Sequence, residues 1–245
     1  MIQPLELEWL GGAAERCFRR RRPDIDDLPW HELRPADHAP EIVDRARIAW
    51  TRNVVSEYAG ATGFAAISAA LLATRAPVDL CAMAADFVVD ELAHVELASR
   101  VAMALGGAAP AAVDLGALVP PPDPALPPPT PQLRAAELAV RVSCVSESFS
   151  VSALAATRTA SPNPLLRAAH ALILRDEARH ARFGWLYLDW AGDTLTDDDR
   201  ARLRAAAAHQ MSMVAVSAFG EAGRHEARQR LDEHVVPRLA RYGLA

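Results

Sequence analysis

The chain consists of long runs of apolar residues that are separated by clusters of proline and glycine. Alanine, leucine and valine dominate these runs and aromatic residues are sparse, which favours helices over strands. We predict four long helices at about 40–73, 78–105, 132–159 and 165–190, divided by proline or glycine pairs. The predicted fold class is therefore all-α.

The segments that flank these four helices indicate additional short elements. Residues 1–39 are predicted to form an N-terminal extension of short helix and loop, and residues 192–245 to form additional C-terminal helices. Thr196 and the three aspartates after it favour a helix start, which predicts a fifth helix to about Phe219. A short sixth helix is expected at 223–239, kinked near its proline.

Residues 108–131, between the second and third helices, are rich in proline. Polyproline stretches rise about 3.1 Å per residue, so this segment is long enough to run the length of a helical bundle. We interpret it as a crossover inside one domain at 40–191. The alternative, a flexible linker between two domains, is disfavoured because neither half alone supplies the complete set of metal ligands described next.

Two copies of one motif, Asp-Glu-x-x-His, occur at 90–94 and 176–180, each within a predicted helix. Each copy has a lone glutamate upstream in another predicted helix, at Glu57 and Glu147. On a helix, residues three apart share one face, so the glutamate and histidine of each motif are presented together. Burying such charges is costly unless they are paired or bind a metal. The pattern therefore predicts a two-metal site with six ligands: Glu57, Glu91, His94, Glu147, Glu177 and His180.

In this interpretation the two motif glutamates bridge the metals and the two upstream glutamates are terminal ligands. Oxygen and imidazole ligands without thiolate favour iron or manganese over a structural zinc ion. Metal-bound histidines usually donate their second N–H to a carboxylate, which makes Asp90 and Asp176 the expected partners. Arg179 is expected to hold the carboxylates or Asp90 in place.

These motifs resemble those of ferritin-like di-iron carboxylate proteins over about residues 40–191. The Asp-Glu-Ala-Arg-His form at 176–180 resembles bacterial di-iron oxygenases, including the p-aminobenzoate N-oxygenase group and the multicomponent hydroxylases. The resemblance implies a ferritin-like four-helix bundle with one long proline-rich crossover and extra N- and C-terminal helices. The N-oxygenase group carries a further histidine ligand one turn before the fourth-helix glutamate. Here that position is Ile173.

The function expected from this resemblance is O2-dependent oxidation of a small organic substrate by hydroxylation, heteroatom oxygenation or desaturation. Two iron ions are the expected cofactor, with a Mn/Fe pair as an alternative and O2 as co-substrate. The chain contains no flavin or nucleotide motif, so an external reductase or ferredoxin is expected as electron donor. A ferroxidase or iron-storage protein, or a peroxide-reducing ferritin-like protein, remains the alternative.

Composition narrows the expected partners and location. The net charge of −5 gives no reason to expect nucleic acid. The longest uncharged run, 58–74, is short for a membrane span and rich in small residues, so no membrane partner is expected. Three widely spaced cysteines and no evident export signal favour the cytoplasm. A monomer or homodimer is expected of an oxygenase, whereas a storage cage would be a very large assembly. The basic cluster Arg19–Arg22 is expected to be a solvated turn neutralised by the acidic residues after it.

Several residues near the predicted ligands allow two interpretations. Gly60 and Gly184 would either open a substrate cavity or permit close helix packing. Ser143 would either face the metal site or serve the core. His170, two turns before Glu177, is expected to be a buried, hydrogen-bonded histidine.

Overall fold

The computed structural model describes residues 2–123, 125–217 and 220–245. This part of the chain is all-helical, as predicted, apart from a short antiparallel pairing of β1 (Ile2–Pro4) with β2 (Ala112–Asp114). The helices are α1 (Gly12–Arg19), α2 (Pro40–Ala73), α3 (Val78–Ala104), α4 (Pro131–Leu138), α5 (Ser148–Ala160), α6 (Pro164–Ala191), α7 (Asp197–Ser217), α8 (Gly220–His234) and α9 (Val236–Arg241).

Proline and polar caps set the starts of the long helices. Pro40, Pro131 and Pro164 occupy the first turns of α2, α4 and α6, where the missing N–H costs no helical hydrogen bond. Thr130 accepts a hydrogen bond from the Leu133 amide at 3.2 Å, and Asn163 caps α6 in the same way. Because these signals are local, the predicted bounds of the first, second and fourth long helices agree with the structure within one or two residues.

The third predicted helix is interrupted by a π-helical segment, Ala139–Glu147, which joins α4 to α5. The nine residues of this segment have a wider turn than an α-helix, and most of them are buried. Such segments are rare and are frequently found at functional sites. The segment ends at Glu147, one of the predicted metal ligands.

The π-helical segment packs closely against α6. The hydroxyl of Ser143 donates to the His180 carbonyl oxygen at 2.5 Å and accepts from the Gly184 amide at 2.7 Å. Gly184 permits this approach, since a Cβ there would lie 2.6 Å from Cys144 Sγ. The serine therefore serves the backbone next to a predicted ligand and does not face the metal site, and Gly184 permits close packing.

The four long helical stretches pack around a layer of acidic side chains. α2 contacts α3 and α4, while α6 contacts α3, α5 and the π-helical segment. One apolar cluster, with Phe64 and Leu71 of α2, lies on one side of this layer. A second, with Trp50 and Val54 of α2, lies on the other. Glu57 lies between these positions on α2, so the acidic layer is enclosed at both ends by hydrophobic core.

Arginines hold the proline-rich segment between α3 and α4. Proline carbonyl oxygens accept hydrogen bonds but the residue has no N–H to donate. Arg134 and Arg141 donate to the carbonyls of Pro120 and Pro121, at 2.5 and 3.1 Å. Pro124, which the sequence analysis assigns to the crossover, lies outside the described residues.

The N-terminal extension packs on α3 and α6 through ion pairs. Arg19 contacts the buried Glu96 at 2.8 Å, and Asp24 contacts Arg175 at 2.9 Å. Arg22 contacts the fully buried Asp90. The expectation that Arg19–Arg22 forms a solvated turn is therefore wrong at two of its four residues, because the carboxylates that partner them lie on α3, distant in sequence.

The C-terminal region largely follows the predicted pattern. Thr196 and Asp199 form a reciprocal cap at the start of α7, with two backbone–side-chain hydrogen bonds of 3.0 and 3.1 Å. The predicted end of this helix near Phe219 lies outside the described residues. The predicted sixth helix is two helices, α8 and α9, that meet at Val235.

Two helical stretches have the length and apolarity of a membrane span, Pro40–Ala73 and Pro131–Ala160. Core helices of soluble proteins pass the same test, so two such helices are weak evidence for a membrane. Each stretch carries one glutamate of the enclosed acidic layer, Glu57 or Glu147. The apolar character of both stretches is therefore explained by their packing around that layer.

Candidate metal centre

Six predicted ligand residues come together as two overlapping groups. In each group the candidate ligand atoms lie within 4.8 Å of one another. Glu91 and Glu177, the glutamates of the two motifs, belong to both groups. The groups are Glu57, Glu91, His94 and Glu177, and Glu91, Glu147, Glu177 and His180.

Both histidines face the carboxylates with the same ring nitrogen. Nδ1 of His94 lies 3.3 Å from Glu57 Oε2 and 3.5 Å from Glu177 Oε1. Nδ1 of His180 lies 3.0 Å from Glu91 Oε1 and 3.6 Å from Glu177 Oε2. Each imidazole is fully buried, and the ring centroids are 5.9 Å apart. The centre therefore has one histidine on each side of a shared pair of glutamates.

The other nitrogen of each histidine contacts an aspartate of the opposite motif. Nε2 of His180 lies 3.1 Å from Asp90 Oδ2, and Nε2 of His94 lies 3.4 Å from Asp176 Oδ2. An N–H donated to a carboxylate leaves Nδ1 as the lone-pair nitrogen that a metal requires. The aspartates are thus positioned to fix both the tautomer and the ring orientation.

Three arginines surround these aspartates. Arg179 Nη2 donates to both Asp90 and Asp176, at 2.9 Å each. Arg175 donates to Asp176 at 3.1 Å, and Arg22 reaches Asp90 from the N-terminal extension. Arg179 was predicted from the sequence, whereas Arg175 and Arg22 were not. Arg175 has no motif signal beyond adjacency to Asp176, and Arg22 is 68 positions from its partner in the sequence.

The buried polar atoms of this centre fit a cation. Nδ1 of both histidines, Oε1 of Glu91 and Oε2 of Glu177 are buried and have no hydrogen-bond partner. Orphaned polar atoms of this kind are rare in folded proteins and require an explanation. Here they converge on one space, and all are metal-ligand types. Metal ions placed between them would satisfy each of these atoms.

The pKa shifts of the metal-free centre also fit a cation site. Burial raises the pKa of Glu57 to about 8, and burial with the neighbouring Glu177 raises that of Glu147 well above its ordinary value. Burial opposes charge on His180 and His94, but the surrounding carboxylates outweigh it and raise the pKa of His180 to about 9. Protons therefore occupy the place that cations would take.

An aromatic wall closes one side of the centre. Phe87 and Phe64 lie 4.4 and 5.1 Å from the His180 ring, measured between centroids, and Phe183 packs edge-on against both phenylalanines. All three phenylalanine side chains are almost completely buried. The wall excludes water from that side of the centre.

A cavity of about 850 Å³ opens on the other side. Its lining includes all four glutamates of the centre, together with Gly60, and otherwise consists largely of apolar and small side chains from α2, α5 and α7. A Cβ at position 60 would lie 2.6 Å from Glu91 Oε2. Gly60 therefore both borders the cavity and leaves room for a predicted ligand.

Ile173, the position of the additional histidine ligand in the N-oxygenase group, is a fully buried residue of the second apolar cluster. This side chain offers no metal ligand. The candidate donor set consists of the four glutamates and two histidines named above.

Comparison of the chain with protein-family models, with curated proteins and with solved structures finds no match. The function proposed below therefore rests on the geometry and chemistry of the site and on the motif resemblance described above.

Proposed function

We propose that this chain is an O2-dependent di-iron oxidoreductase on a ferritin-like four-helix bundle. The four bundle helices would be α2, α3, the stretch from α4 to α5, and α6, with residues 108–131 as the long crossover. The observation that supports this proposal is the pair of four-residue ligand groups that share Glu91 and Glu177. Shared carboxylates are the means by which a protein holds two metal ions close together.

The ligand types favour iron. Four carboxylates supply a charge of −4 when ionised, which balances two divalent cations. Neither group contains a thiolate, and mixed carboxylate and imidazole ligands suit iron or manganese. Glu57 with His94, and Glu147 with His180, would complete the two ends of the centre.

When bound, a pair of iron ions would supply O2 activation and the redox equivalents for oxidation of an organic substrate. The protein contributes position and protection. Asp90 and Asp176 hold Nε2 of the histidines, so that Nδ1 is the nitrogen that would bind a metal, and Arg179 donates a hydrogen bond to both aspartates. The phenylalanine wall excludes water from one side, and the cavity admits substrate from the other.

The cavity favours catalysis over iron handling, because storage of iron requires no apolar space beside the carboxylates. Hydroxylation, heteroatom oxygenation and desaturation are the reaction types that such a centre would serve. Turnover requires electrons, which a separate reductase or ferredoxin would provide.

The experiment that tests this proposal is an anaerobic Fe(II) titration of metal-free protein, followed by exposure to O2 with oxygen consumption recorded. We expect saturation near two iron ions per chain. Glu91→Gln should reduce the stoichiometry, because it removes a shared ligand, whereas Glu41→Gln, an exposed glutamate of α2, should leave it unchanged.

Three outcomes would contradict the proposal. Absence of iron uptake would remove the metal centre. Two bound irons without O2 consumption would leave a metal site that does not activate oxygen. Continued uptake far beyond two irons, in a very large assembly on size-exclusion chromatography, would show an iron-storage protein.

A further inference from the structure

The cavity beside the candidate metal centre is lined by a stacked pair of aromatic rings as well as by the four glutamates. His170 of α6 stacks on Trp50 of α2, with ring centroids 4.9 Å apart and planes inclined by 24°. Both residues line the cavity and both are about 95% buried, at 5% and 4% exposure. This pair lies away from the carboxylates, within the second apolar cluster.

Trp50 and His170 stand at equivalent positions on their helices. Trp50 precedes Glu57 by seven residues, and His170 precedes Glu177 by seven. Trp50 meets His170, and seven residues later on each helix Glu57 lies close to Glu177. The two helices, α2 and α6, therefore run in the same direction. Seven residues of helix correspond to about 10 Å. The stacked pair therefore lies about 10 Å along the cavity from the glutamates.

The cavity is elongated in this direction. Its lining extends along α2 from Ala46 to Gly60 and along α5 from Phe149 to Ala160. Fourteen residues of α2 correspond to about 20 Å. The lining combines alanine, valine, leucine and aromatic side chains with neutral polar ones, among them Asn53, Ser150, Thr157 and Gln210.

Charge along the lining is restricted to one end. Among the lining residues that the structure describes, the ionisable side chains are the four glutamates and His170, and none is an arginine. The chain contains no lysine. An anionic substrate would therefore find no counter-charge, and a cationic one would find the glutamates already compensated by metal.

His170 is the neutral polar side chain of the lining that is buried and carries an unpartnered ring nitrogen. Its Nδ1 is buried and has no hydrogen-bond partner among the described residues, and no other side chain bonds the ring. Burial lowers the pKa of His170 to about 4, although the Leu166 backbone favours the proton, so the imidazole is neutral at pH 7. A neutral imidazole offers one donor and one acceptor. It matches a hydroxyl, carbonyl or amide group and no full charge.

We infer that the cavity binds an elongated, uncharged organic molecule with a polar group held by His170, and with the oxidised position about 10 Å away at the glutamates. This inference rests on the proposed function for the identity of the site. His170 acts as a specificity-determining residue, and Trp50 supports its ring.

Binding of matched ten-carbon probes tests the inference. Anaerobic Fe(II)-loaded protein is titrated with decan-1-ol, decanoate and decylammonium by calorimetry. We expect the alcohol to bind at least about tenfold more tightly than either ion, since burial of an unpaired charge is costly. Equal or tighter binding of decanoate or decylammonium would overturn the inference.

Variants at position 170 test the assigned residue. His170→Phe should weaken decan-1-ol binding by about fivefold to tenfold through loss of one hydrogen bond, and His170→Gln should retain most of the affinity. His38→Phe, at an exposed histidine, is the matched control. Circular dichroism and melting confirm that each variant is folded. Unchanged binding by folded His170→Phe would overturn the role of His170.

Orientation is measured independently of turnover. With Mn(II) in the centre, paramagnetic relaxation falls steeply with distance, so decan-1-ol protons at the methyl end should relax faster than those beside the hydroxyl. The reverse order would place the polar group at the metals and overturn the inference.

Failure of the inference and failure of the proposed function are distinguishable. Iron uptake with O2 consumption, but without a binding preference for decan-1-ol, would contradict the inference about the cavity and still support the proposed function. Absence of metal uptake would remove the function, while His170-dependent binding of decan-1-ol to metal-free protein would still support the cavity assignment.

Discussion

Asp90 accepts a hydrogen bond from the histidine of the other motif: its Oδ2 lies 3.1 Å from Nε2 of His180. Asp176 and His94 form the equivalent contact at 3.4 Å. Each Asp-Glu-x-x-His motif thus supplies the aspartate that orients its counterpart's imidazole. This exchange links α3 and α6 through two buried contacts, so the two halves of the centre depend on each other.

Removal of either aspartate charge should weaken metal binding. For Asp90→Asn or Asp176→Asn we expect metal affinity to fall by about 10–100-fold, because the histidine loses the partner that fixes its tautomer. Fe(II) or Mn(II) titration measures the effect. Asp232→Asn, at an exposed aspartate of α8, should bind metal as the parent does. Unaltered affinity in both motif variants would show that the aspartates have no orienting role.

Arg22 should contribute to stability through Asp90. Arg22→Ala removes a cation from a fully buried carboxylate, leaving His180 and Arg179 as its partners. We expect a loss of roughly 1–3 kcal/mol, as for a buried polar group deprived of a hydrogen bond. Urea unfolding of Arg22→Ala and of Arg20→Ala, its exposed neighbour, provides the comparison. Equal stability of the two variants would mean that the extension does not support the centre.

Gly60→Ala should impair metal binding more than folding. The new Cβ would lie 2.6 Å from Glu91 Oε2, at the free end of a side chain that can move aside. Movement of this carboxylate displaces a shared ligand, so we expect fewer bound metal ions with a melting temperature close to that of the parent. Gly192→Ala, where a Cβ meets nothing within 4 Å, is the control. Full metal uptake by Gly60→Ala would show that Glu91 needs no space at position 60.

Gly184→Ala should act on the fold itself. Its Cβ would meet Cys144 Sγ at 2.6 Å, Ser143 Oγ at 2.9 Å and a backbone oxygen of Ala139 at 3.0 Å. The backbone atom cannot yield without moving the π-helical segment, so we expect destabilisation of roughly 1–3 kcal/mol. Chemical denaturation measures it, again against Gly192→Ala. A variant as stable as that control would show that α6 and the π-helical segment separate at little cost.

The metal-free protein should lose stability as pH rises from 7 to 9. The pKa of Glu57 is raised from 4.5 to about 8 and that of His180 from 6.5 to about 9, so the folded state holds protons that the unfolded chain releases. Such stabilisation is complete below the unfolded pKa and is lost as pH rises through the folded pKa. His170, whose pKa burial lowers to about 4, acts outside this window: stability is lost as pH falls from 6.5 towards 4, because the unfolded chain then takes up the proton more readily.

Melting temperatures across pH 7 to 9 in the presence of chelator measure this dependence. Glu57→Gln should flatten the profile, and Glu41→Gln should not. Added Mn(II) should reverse the trend, because metals require deprotonated ligands. A metal-free melting temperature that is constant or rises from pH 7 to 9 would contradict the assigned protonation of the centre.

Much of the fold was predictable because its signals are local. Pro40, Pro164 and the Thr196–Asp199 cap act within one helical turn, and the helix bounds they set agree with the structure. The spacing of Glu91 and His94 likewise fixes that both share a helix face. The all-α class and the candidate set of six ligand residues therefore follow from the sequence by itself.

Other features were decided by tertiary contacts between segments distant in sequence. The π-helical segment is stabilised by Ser143 bonding the α6 backbone, and Arg22 reaches Asp90 across 68 positions. The stacking of His170 on Trp50 depends on two helices, α2 and α6, whose side chains meet across the interior. A sequence specifies which side chains share one helix face, whereas their burial, partners and protonation depend on which helices pack together. That packing places the six ligand residues in two groups around shared carboxylates and opens a cavity beside them.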